Sequence, residues 1–256
     1  MIGGFGPQLQ PGPEPVYLAI LLTLAACQGA PPQALGSIPW SVAGRQALAY
    51  PAFLVQPQTA DRYRQQGLNY RQRGDLERAL ATLTIAAALD PGNPDGYIIL
   101  GWTQHLAGQR PAAIASLHRA LDQAPDSVPA LNALGIVYLV AGDLTAAVST
   151  HNRALALQPD NEIAHYNLCL AHHRQGQWDQ AIHHGQRATQ LEPTNPHPWV
   201  ALALAYNAAG DGTRARASYD QALALDGGYG QRSYLDHLEQ AGFSGEQIGA
   251  IGALVP

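Results

Sequence analysis

Six of the ten histidines in this sequence lie close enough together to raise the question of metal chemistry. They are His151, His165, His172, His173, His183 and His184. His165 and His172 are seven residues apart and share one face of a helix, and His151 can approach them from the preceding segment. Zinc usually requires a closed tetrahedral set that includes thiolate or carboxylate ligands. We therefore interpret the first three as packing residues and the last three as surface residues, and we predict neither a metal site nor a cofactor.

No arrangement suited to catalysis is found elsewhere in the sequence. It contains no His-Glu-x-x-His pair, no Gly-x-Ser-x-Gly elbow and no Cys-His spacing typical of a nucleophile. All 14 basic residues are arginine, which excludes a phosphate-loop lysine, a Schiff-base lysine and a kinase-type lysine. The glycine-rich stretch 227–230 follows no predicted strand and is interpreted as an exit from the last helix. The sequence therefore predicts a protein that is not an enzyme.

The charge pattern also limits the partners. Charged residues make up 13% of the chain, about half of the usual ~25%, and the formal net charge is −5. No cluster of basic residues is available to hold phosphates, so we predict no nucleic-acid partner.

The amino-terminal part carries a possible lipidation site. An apolar run from Val16 to Ala26 is too short to span a bilayer but fits the core of a signal peptide, and with Cys27 it ends in a stretch that resembles the bacterial lipobox. We therefore expect residues 1–27 to be a signal segment and the mature protein to be a bacterial membrane-anchored lipoprotein on the periplasmic or extracytoplasmic face. No positive charge precedes the run, and Glu14 does, so an uncleaved membrane-associated segment and an unrelated apolar stretch in a cytoplasmic protein stay open.

Residues 28–59 are rich in Pro, Gly, Ala and Gln and are interpreted as a linker. Pro57 is among the prolines expected to prevent a helix there. The stretch 38–55 is more apolar than a free linker, so docking of this stretch on the rest of the protein is an alternative.

Small residues recur every 34 positions in the remainder of the chain. The recurring residues are Gly67, Gly101 and Gly135; Ala79, Ala113, Ala147, Ala181 and Ala215; and Pro91, Pro125, Pro159 and Pro193. Frames of 34 residues that begin at Ala60 give five units without an insertion: 60–93, 94–127, 128–161, 162–195 and 196–229. Such a period is typical of a helical repeat array.

Each unit has residues at the positions where a helix pair turns and ends. A glycine at position 15 of every frame, such as Gly74, suits a left-handed turn between two helices, and the proline at position 32 ends the second helix. Positions 4, 7, 8 and 11 form the stripe of the first helix that faces the second. The small residues at position 8 of the first helix and at positions 20 and 27 of the second allow the two backbones to approach closely.

This pattern resembles the tetratricopeptide repeat (TPR) family across 170 of the 256 residues. The resemblance implies an all-α fold, a right-handed superhelix of five helix-turn-helix repeats with the first helices on its concave wall. Residues 230–256 are expected to form capping helices, with a helix over 231–241 and a capping box of Ser244 and Gln247. Unit 4 departs most from the family pattern, with His165, Cys169, His172 and Gly185 at positions that usually hold other residues. Cys169 is expected to act as a small buried hydrophobe.

A second stripe of each first helix, at positions 2, 5, 9, 12 and 13, lines the concave groove by this resemblance. Its predicted partner-binding residues are Arg64, Ile98, Trp102, His105, Leu106, Asn132, Ile136, Leu139, Val140, Tyr166, Leu170, His173, Arg174, Leu204 and Asn207. Exposed apolar patches tend to mark binding sites, and we expect Trp102 and Tyr166 to be the anchors. Packing between neighbouring first helices is the alternative role for some of these residues. The expected partner carries an apolar segment, with or without one acidic group, whereas a chaperone-tail adaptor is disfavoured because the groove has no lysine.

The sequence as a whole predicts a non-enzymatic scaffold for protein–protein interaction that binds an apolar segment of another protein and is tethered to a membrane. Two alternatives remain at this point. One is an intracellular or thylakoid-side assembly factor for membrane complexes, similar to TPR proteins that help to build photosynthetic complexes. The other is a self-associating or autoinhibited scaffold in which residues 38–55 occupy the groove.

Overall fold

The computed structural model describes residues 55–255, and this part of the chain is helical with no strand. Five pairs of consecutive helices are followed by a C-terminal segment. The pairs are α1 (Pro57–Gln72) and α2 (Leu76–Leu89), α3 (Pro94–Leu106) and α4 (Arg110–Gln123), α5 (Val128–Ala141) and α6 (Leu144–Leu157), α7 (Glu162–Arg174) and α8 (Trp178–Leu191), and α9 (Pro196–Ala208) and α10 (Gly212–Leu225). Two 3₁₀ helices, Gly227–Gly230 and Arg232–Glu239, precede α11 (Gly245–Ile251).

Local sequence signals account for where the helices start and turn. Side chains such as Asp75, Ser127 and Asn161 precede helices and accept a hydrogen bond from a backbone N–H of the first turn. The five glycines at position 15 all have left-handed backbone conformations, with φ between 72° and 86°. The predicted turn is therefore confirmed in every repeat. Ser244 and Gln247 also form the predicted capping box at the start of α11.

The small residues at positions 20 and 27 are at the centre of each helix pair. They are Ala79 and Ala86, Ala113 and Ala120, Ala147 and Ala154, Ala181 and Ala188, and Ala215 and Ala222, and all are buried. Because a methyl group is the largest side chain at these points, the two helices of a repeat and the next repeat pack at short range.

A large residue of the second helix fits over a small residue of the first in most repeats. The pairs at positions 8 and 24 are Gly67 with Leu83, Gly101 with Leu117, Gly135 with His151, and Ala203 with Tyr219. A Cβ atom placed on Gly101 lies 2.8 Å from Cγ of Leu117, so glycine leaves the space that leucine fills. Repeat 4 reverses the pair, with Cys169 on the first helix and Gly185 on the second, and a Cβ atom on Gly185 lies 3.0 Å from Sγ of Cys169. Repeat 4 therefore departs from the family pattern at two positions whose changes in side-chain size compensate each other.

Two boundaries differ from the sequence prediction. Helix α1 begins at Pro57, inside the predicted linker 28–59, because proline is tolerated in the first turn of a helix, where its missing N–H has no intrahelical partner. The helix expected over 231–241 is shorter and is a 3₁₀ helix over 232–239. The aromatic ring of Tyr234 packs at the preceding turn, where a Cβ atom on Gly228 lies 2.6 Å from it.

Each repeat packs against its neighbours in the array. The second helix of one repeat contacts the first helix of the next, and successive first helices also contact each other. Within the described residues, the buried apolar side chains form two main clusters. One extends from Leu83 to Ala164, and the other extends from Leu139 to Ile251 and includes the C-terminal segment. The fold is a solenoid whose last repeats share their core with the segment that follows them.

Candidate functional site

A cavity of about 710 Å³ lies across the first helices of repeats 2 to 4 and the end of repeat 4. The predicted groove residues that line it are Trp102, His105, Leu106, Ile136, Val140 and Tyr166. They come from α3, α5 and α7, whose matching stripe positions are aligned by the 34-residue period. The structure thus brings six of the fifteen predicted site residues together around one space.

The α3 side of the cavity is apolar and accessible. The side chain of Leu106 is 48% exposed, and the ring of Trp102 lies 5.1 Å from the ring of His105, centroid to centroid. Nδ1 of His105 is buried without a hydrogen-bond partner in the described residues. Burial lowers the pKa of His105, and the nearby Arg110 lowers it further. A neutral imidazole therefore continues the apolar surface of Trp102.

The opposite wall of the cavity belongs to residues 239–255, which we call the C-terminal arm. Glu239, Gln240, Ala241 and Gly242 line the cavity from this side. The hydroxyl group of Tyr166 donates a hydrogen bond of 2.6 Å to the carbonyl oxygen of Ala241. Tyr166 therefore anchors the protein's own arm as well as lining the cavity.

Burial in this contact has an electrostatic consequence for Tyr166. Its pKa is raised well above the ordinary value, mainly because burial disfavours the phenolate. Phe243 packs edge-on against the same ring, with centroids 6.2 Å apart. Gly242, between them, has φ of 89°, a conformation that side chains rarely adopt.

Helix α11 of the arm covers the groove beyond the cavity. The buried side-chain amide of Gln247 donates to the carbonyl oxygen of Leu170 and to Nδ1 of His173, each at 3.2 Å. Leu139, Leu170 and Leu204 are buried, and they form one apolar cluster with Phe243 and Ile251 of the arm. Burial also lowers the pKa of His173 to about 4. This half of the predicted groove is occupied by the chain itself.

The other predicted site residues have contacts of their own. Nδ2 of Asn132, which is buried, lies 3.3 Å from Oδ1 of Asn161, and Nη1 of Arg174 donates to the carbonyl oxygen of Leu139 at 2.6 Å. Ile98 is half-buried against the N-terminal cluster, whereas Asn207 is exposed.

Arg64, also predicted for the groove, lies in repeat 1 away from the cavity. It forms ion pairs with Asp61 and Asp90. Its guanidinium is thereby engaged by carboxylates of its own repeat.

Several cavity residues were not among the predicted ones. They are Glu162, Ile163, Asn167, Glu192, Asn195 and the four residues of the arm. Ile163 is at position 2 of its frame, which belongs to the second stripe, so the 34-residue period could have predicted it. The glutamates come from positions outside the stripe, and the arm comes from far along the chain. The lining includes three glutamates and no arginine, which disfavours the expected acidic group on the partner.

The histidines of repeat 4 form a buried cluster centred on His184. Nδ1 of His165 lies 2.9 Å from Nδ1 of His184, and the rings of His172 and His184 are stacked with centroids 5.5 Å apart. Nε2 of neutral His165 donates to the carbonyl oxygen of Pro159, so its Nδ1 accepts the hydrogen of His184. The expectation that His184 is at the surface is wrong, because the glycine at position 185 and the histidines of α7 leave it an internal site. His151 also lies apart from this cluster, over Gly135.

The electrostatics of this cluster favour a neutral ring at its centre, His184. The pKa of His184 is lowered to about 3 by burial and by the charges that His165, His172 and His183 would carry. In the described part of the chain, no group of three or more His, Cys, Asp or Glu side chains is arranged to hold a metal ion. Cys169 is buried as predicted, and burial raises the pKa of its thiol to about 12.

Other predictions concern residues outside the described range. These are the lipidation of Cys27, the signal segment 1–27, most of the linker 28–59 and the docking of residues 38–55. Among the helices of residues 55–255, none combines the length and apolar character needed to cross a bilayer.

Comparisons with known proteins agree with the repeat architecture. A family model described as "TPR repeat" matches residues 138–176, and one described as "Tetratricopeptide repeat" matches residues 70–135 and 172–232. The chain therefore belongs to the tetratricopeptide repeat family. It is an all-α solenoid protein of the kind that serves as a scaffold for protein interactions.

Solved structures of TPR proteins are similar to this one. A crystal structure of MamA has 26% identity and a TM-score of 0.56, and the match covers 62% of this chain and 94% of MamA. MamA from Desulfovibrio magneticus RS-1 has 23% identity, a TM-score of 0.60 and coverage of 66% and 95%. A thermophilic TPR protein from Thermus thermophilus has 23% identity, a TM-score of 0.55 and coverage of 65% and 91%. No curated protein matches the sequence.

Proposed function

We propose that this protein is a non-enzymatic scaffold that binds an apolar segment of a partner protein in the cavity between α3, α5, α7 and the C-terminal arm. The observation that supports this proposal most directly is that two apolar side chains of the cavity lining are exposed. Leu106 is 48% exposed and Ile163 is 39% exposed, although both lie on a concave surface where neighbouring side chains are available for packing. Apolar groups that stay open in a cavity of this size provide a contact surface for a side chain or a short segment.

The arm supports this function in a second way. It supplies the wall that turns an open groove into a cavity, because the backbone of residues 241 and 242 is fixed by Tyr166 and Phe243. A ligand that enters finds a preformed site and loses less free energy to ordering of the protein. The groove thus combines binding of another protein with partial occupation by its own chain.

The test is to purify the proteins that associate with the full chain and to compare two double variants. Leu106→Ala with Ile163→Ala removes the apolar contacts of the cavity, and we expect partner affinity to fall by at least about tenfold, as for a small interface hot spot. Leu157→Ala with Leu225→Ala is the matched control, because these leucines are 44% and 42% exposed on second helices. Equal retention of partners by both variants would show that the cavity is not the binding site.

We also propose that Cys27 carries a lipid anchor. The support is the apolar run that ends at this cysteine. The mass of the protein purified from its natural source tests the proposal, since cleavage removes 26 residues and diacylation adds a defined mass. A mass equal to that of the full sequence contradicts it.

A further inference from the structure

Three glutamates surround the apolar cavity, and each comes from a different part of the chain. Glu162 begins α7, Glu192 follows the last residue of α8, and Glu239 ends the second 3₁₀ helix. Among the described residues, none of the three forms a salt bridge, and the cavity lining contains no arginine. The cavity is therefore apolar inside and negatively charged at its edge.

Glu192 is the most informative of the three because its position is unfavourable for a carboxylate. It caps the C-terminal end of α8, where the partial negative charge of the helix dipole repels an anion. Among the described residues, the one side chain hydrogen-bonded to it is Asn195, whose Nδ2 donates to Oε2 at 2.7 Å. A carboxylate in such a place gains from a cationic partner.

Repeat 1 has an acid and an asparagine at the same frame positions, and there an arginine pairs with the acid. Asp90 caps α2 at the equivalent frame position, and Nδ2 of Asn93 donates to Oδ2 of Asp90 at 3.0 Å. Nη1 of Arg64, from position 5 of the first helix, lies 3.4 Å from the same oxygen. The repeat geometry therefore accommodates a guanidinium beside the acid at this point.

In repeat 4 the residue at position 5 is Tyr166, which carries no positive charge and whose hydroxyl donates to the arm. The acid and the asparagine of the arrangement are kept, while the arginine is missing and an open cavity lies beside them. Repeat 4 therefore has a site suited to a guanidinium, and no arginine of the described residues occupies it.

We propose that the occupant of the cavity is a segment of a partner protein in which an arginine is flanked by apolar residues. The guanidinium pairs with Glu192 as Arg64 pairs with Asp90, and Glu162 and Glu239 add to the attraction. The apolar neighbours contact Leu106, Ile136 and Ile163. This inference rests on the proposed function and adds the chemical class of the bound segment.

The test uses three pools of fluorescent synthetic nonapeptides with random apolar residues around a central Arg, Gln or Glu. Binding to the full chain is measured by fluorescence anisotropy at low salt. We expect the Arg pool to bind about tenfold more tightly than the Glu pool, with the Gln pool between them, and the difference to shrink at about 0.5 M NaCl because exposed charges are screened. Glu192→Gln should remove most of this preference, whereas Glu77→Gln, an exposed glutamate on α2, should leave it unchanged.

Two variants of Tyr166 separate charge from shape. Tyr166→Gln removes the ring and adds no charge, so we expect it to weaken all three pools alike. Tyr166→Arg places a guanidinium where Arg64 lies in repeat 1 and neutralises Glu192, so we expect it to reduce the preference for the Arg pool over the Glu pool. Circular dichroism of each variant verifies that the helices are retained.

The possible results distinguish the two proposals. If Leu106→Ala with Ile163→Ala abolishes binding but the three pools bind equally, apolar docking stands and the arginine is wrong. If no pool binds, both proposals are wrong. The only basic residue before Arg62 is Arg45. If Arg45→Gln in the full chain raises affinity for the Arg pool about tenfold, the chain's own N-terminal segment is the occupant and the proposal of a partner's arginine is overturned.

Discussion

His151 differs from the residues at its position in the first two repeats in a way that makes the protein sensitive to acid. It fills the space above Gly135, as Leu83 and Leu117 do above their glycines, but both of its ring nitrogens are buried with no hydrogen-bond partner among residues 55–255. Burial lowers its pKa to about 4. The unfolded chain holds this imidazole in water with a pKa near 6.5. Between these two values the unfolded state takes up a proton that the folded state does not, so stability falls as the pH falls.

Replacing His151 by leucine should remove this part of the pH dependence. Between pH 7 and pH 5 the contribution of one such histidine is about 2 kcal/mol, and the loss of two unpaired nitrogens should also raise stability at pH 7 by about 1 kcal/mol. Urea unfolding of His151→Leu and of the native chain at both pH values measures the difference. His118→Leu, at an exposed site of α4, serves as the matched control. Equal losses in the native chain and in His151→Leu would contradict the argument.

Part of the cavity lining could be predicted from the sequence, because some of its residues recur with the repeat period. Trp102 and Ile136 occupy the same frame position in consecutive repeats, so periodicity alone brings them together. Whether such a residue is open or covered depends on segments distant in sequence. Leu170, at the matching position of repeat 4, is covered by Gln247 of the arm, and no local pattern contains that information.

The helix pair of repeat 4 keeps its packing although its residues depart from the family pattern. Gly185 now leaves the space and Cys169 fills it, the reverse of the arrangement of Gly67 and Leu83 in repeat 1. The absence of a side chain at Gly185 serves the next repeat as well, because its Cβ position is 3.4 Å from Cα of Leu202. Packing at this pair is therefore set by the sum of two sizes and by the approach of α9.

A double-mutant cycle tests this account. Gly185→Leu alone should lower the free energy of unfolding by about 1–3 kcal/mol, because the new side chain meets Cys169 and the α9 backbone. Adding Cys169→Gly restores the arrangement of repeats 1 and 2 and should recover about half of the loss, whereas the contact with α9 remains. Cys169→Gly alone, which leaves a void, completes the cycle. Strictly additive effects of the two substitutions, measured by urea unfolding, would show that the pair does not act as a unit.

Turns and helix ends could be predicted from the sequence where they depend on residues that are close together in the chain. The left-handed glycine of each turn and the capping box of Ser244 and Gln247 depend on residues within one turn of each other. The start of α1 at Pro57 was misjudged because proline has opposite effects in the first turn of a helix and in its interior. The helix expected over 231–241 is present as the 3₁₀ helix Arg232–Glu239, and the local pattern did not indicate its type.

The array as a whole is asymmetric, because within the described residues only its C-terminal end is covered by an additional segment. The core of repeats 4 and 5 includes Leu235, Phe243 and Ile251 of the segment that follows them. The core of repeats 1 and 2 belongs to a separate cluster that begins at Leu83. In a solenoid, stability is approximately a sum over repeats and their interfaces, so a change in one cluster should act mainly on its own repeats.

Phe243→Ala should therefore destabilise one end of the molecule selectively. The side chain is buried against Tyr166, and its loss should cost about 3 kcal/mol in the C-terminal cluster. We expect hydrogen exchange, followed by mass spectrometry, to accelerate in α7 to α11 while α1 to α4 keep their protection. Leu117→Ala, in the N-terminal cluster, is the matched variant and should give the opposite pattern. If either substitution accelerates exchange equally along all five repeats, the array unfolds as one unit, and the arm is then a fixed part of the binding site that cannot open independently of the repeats.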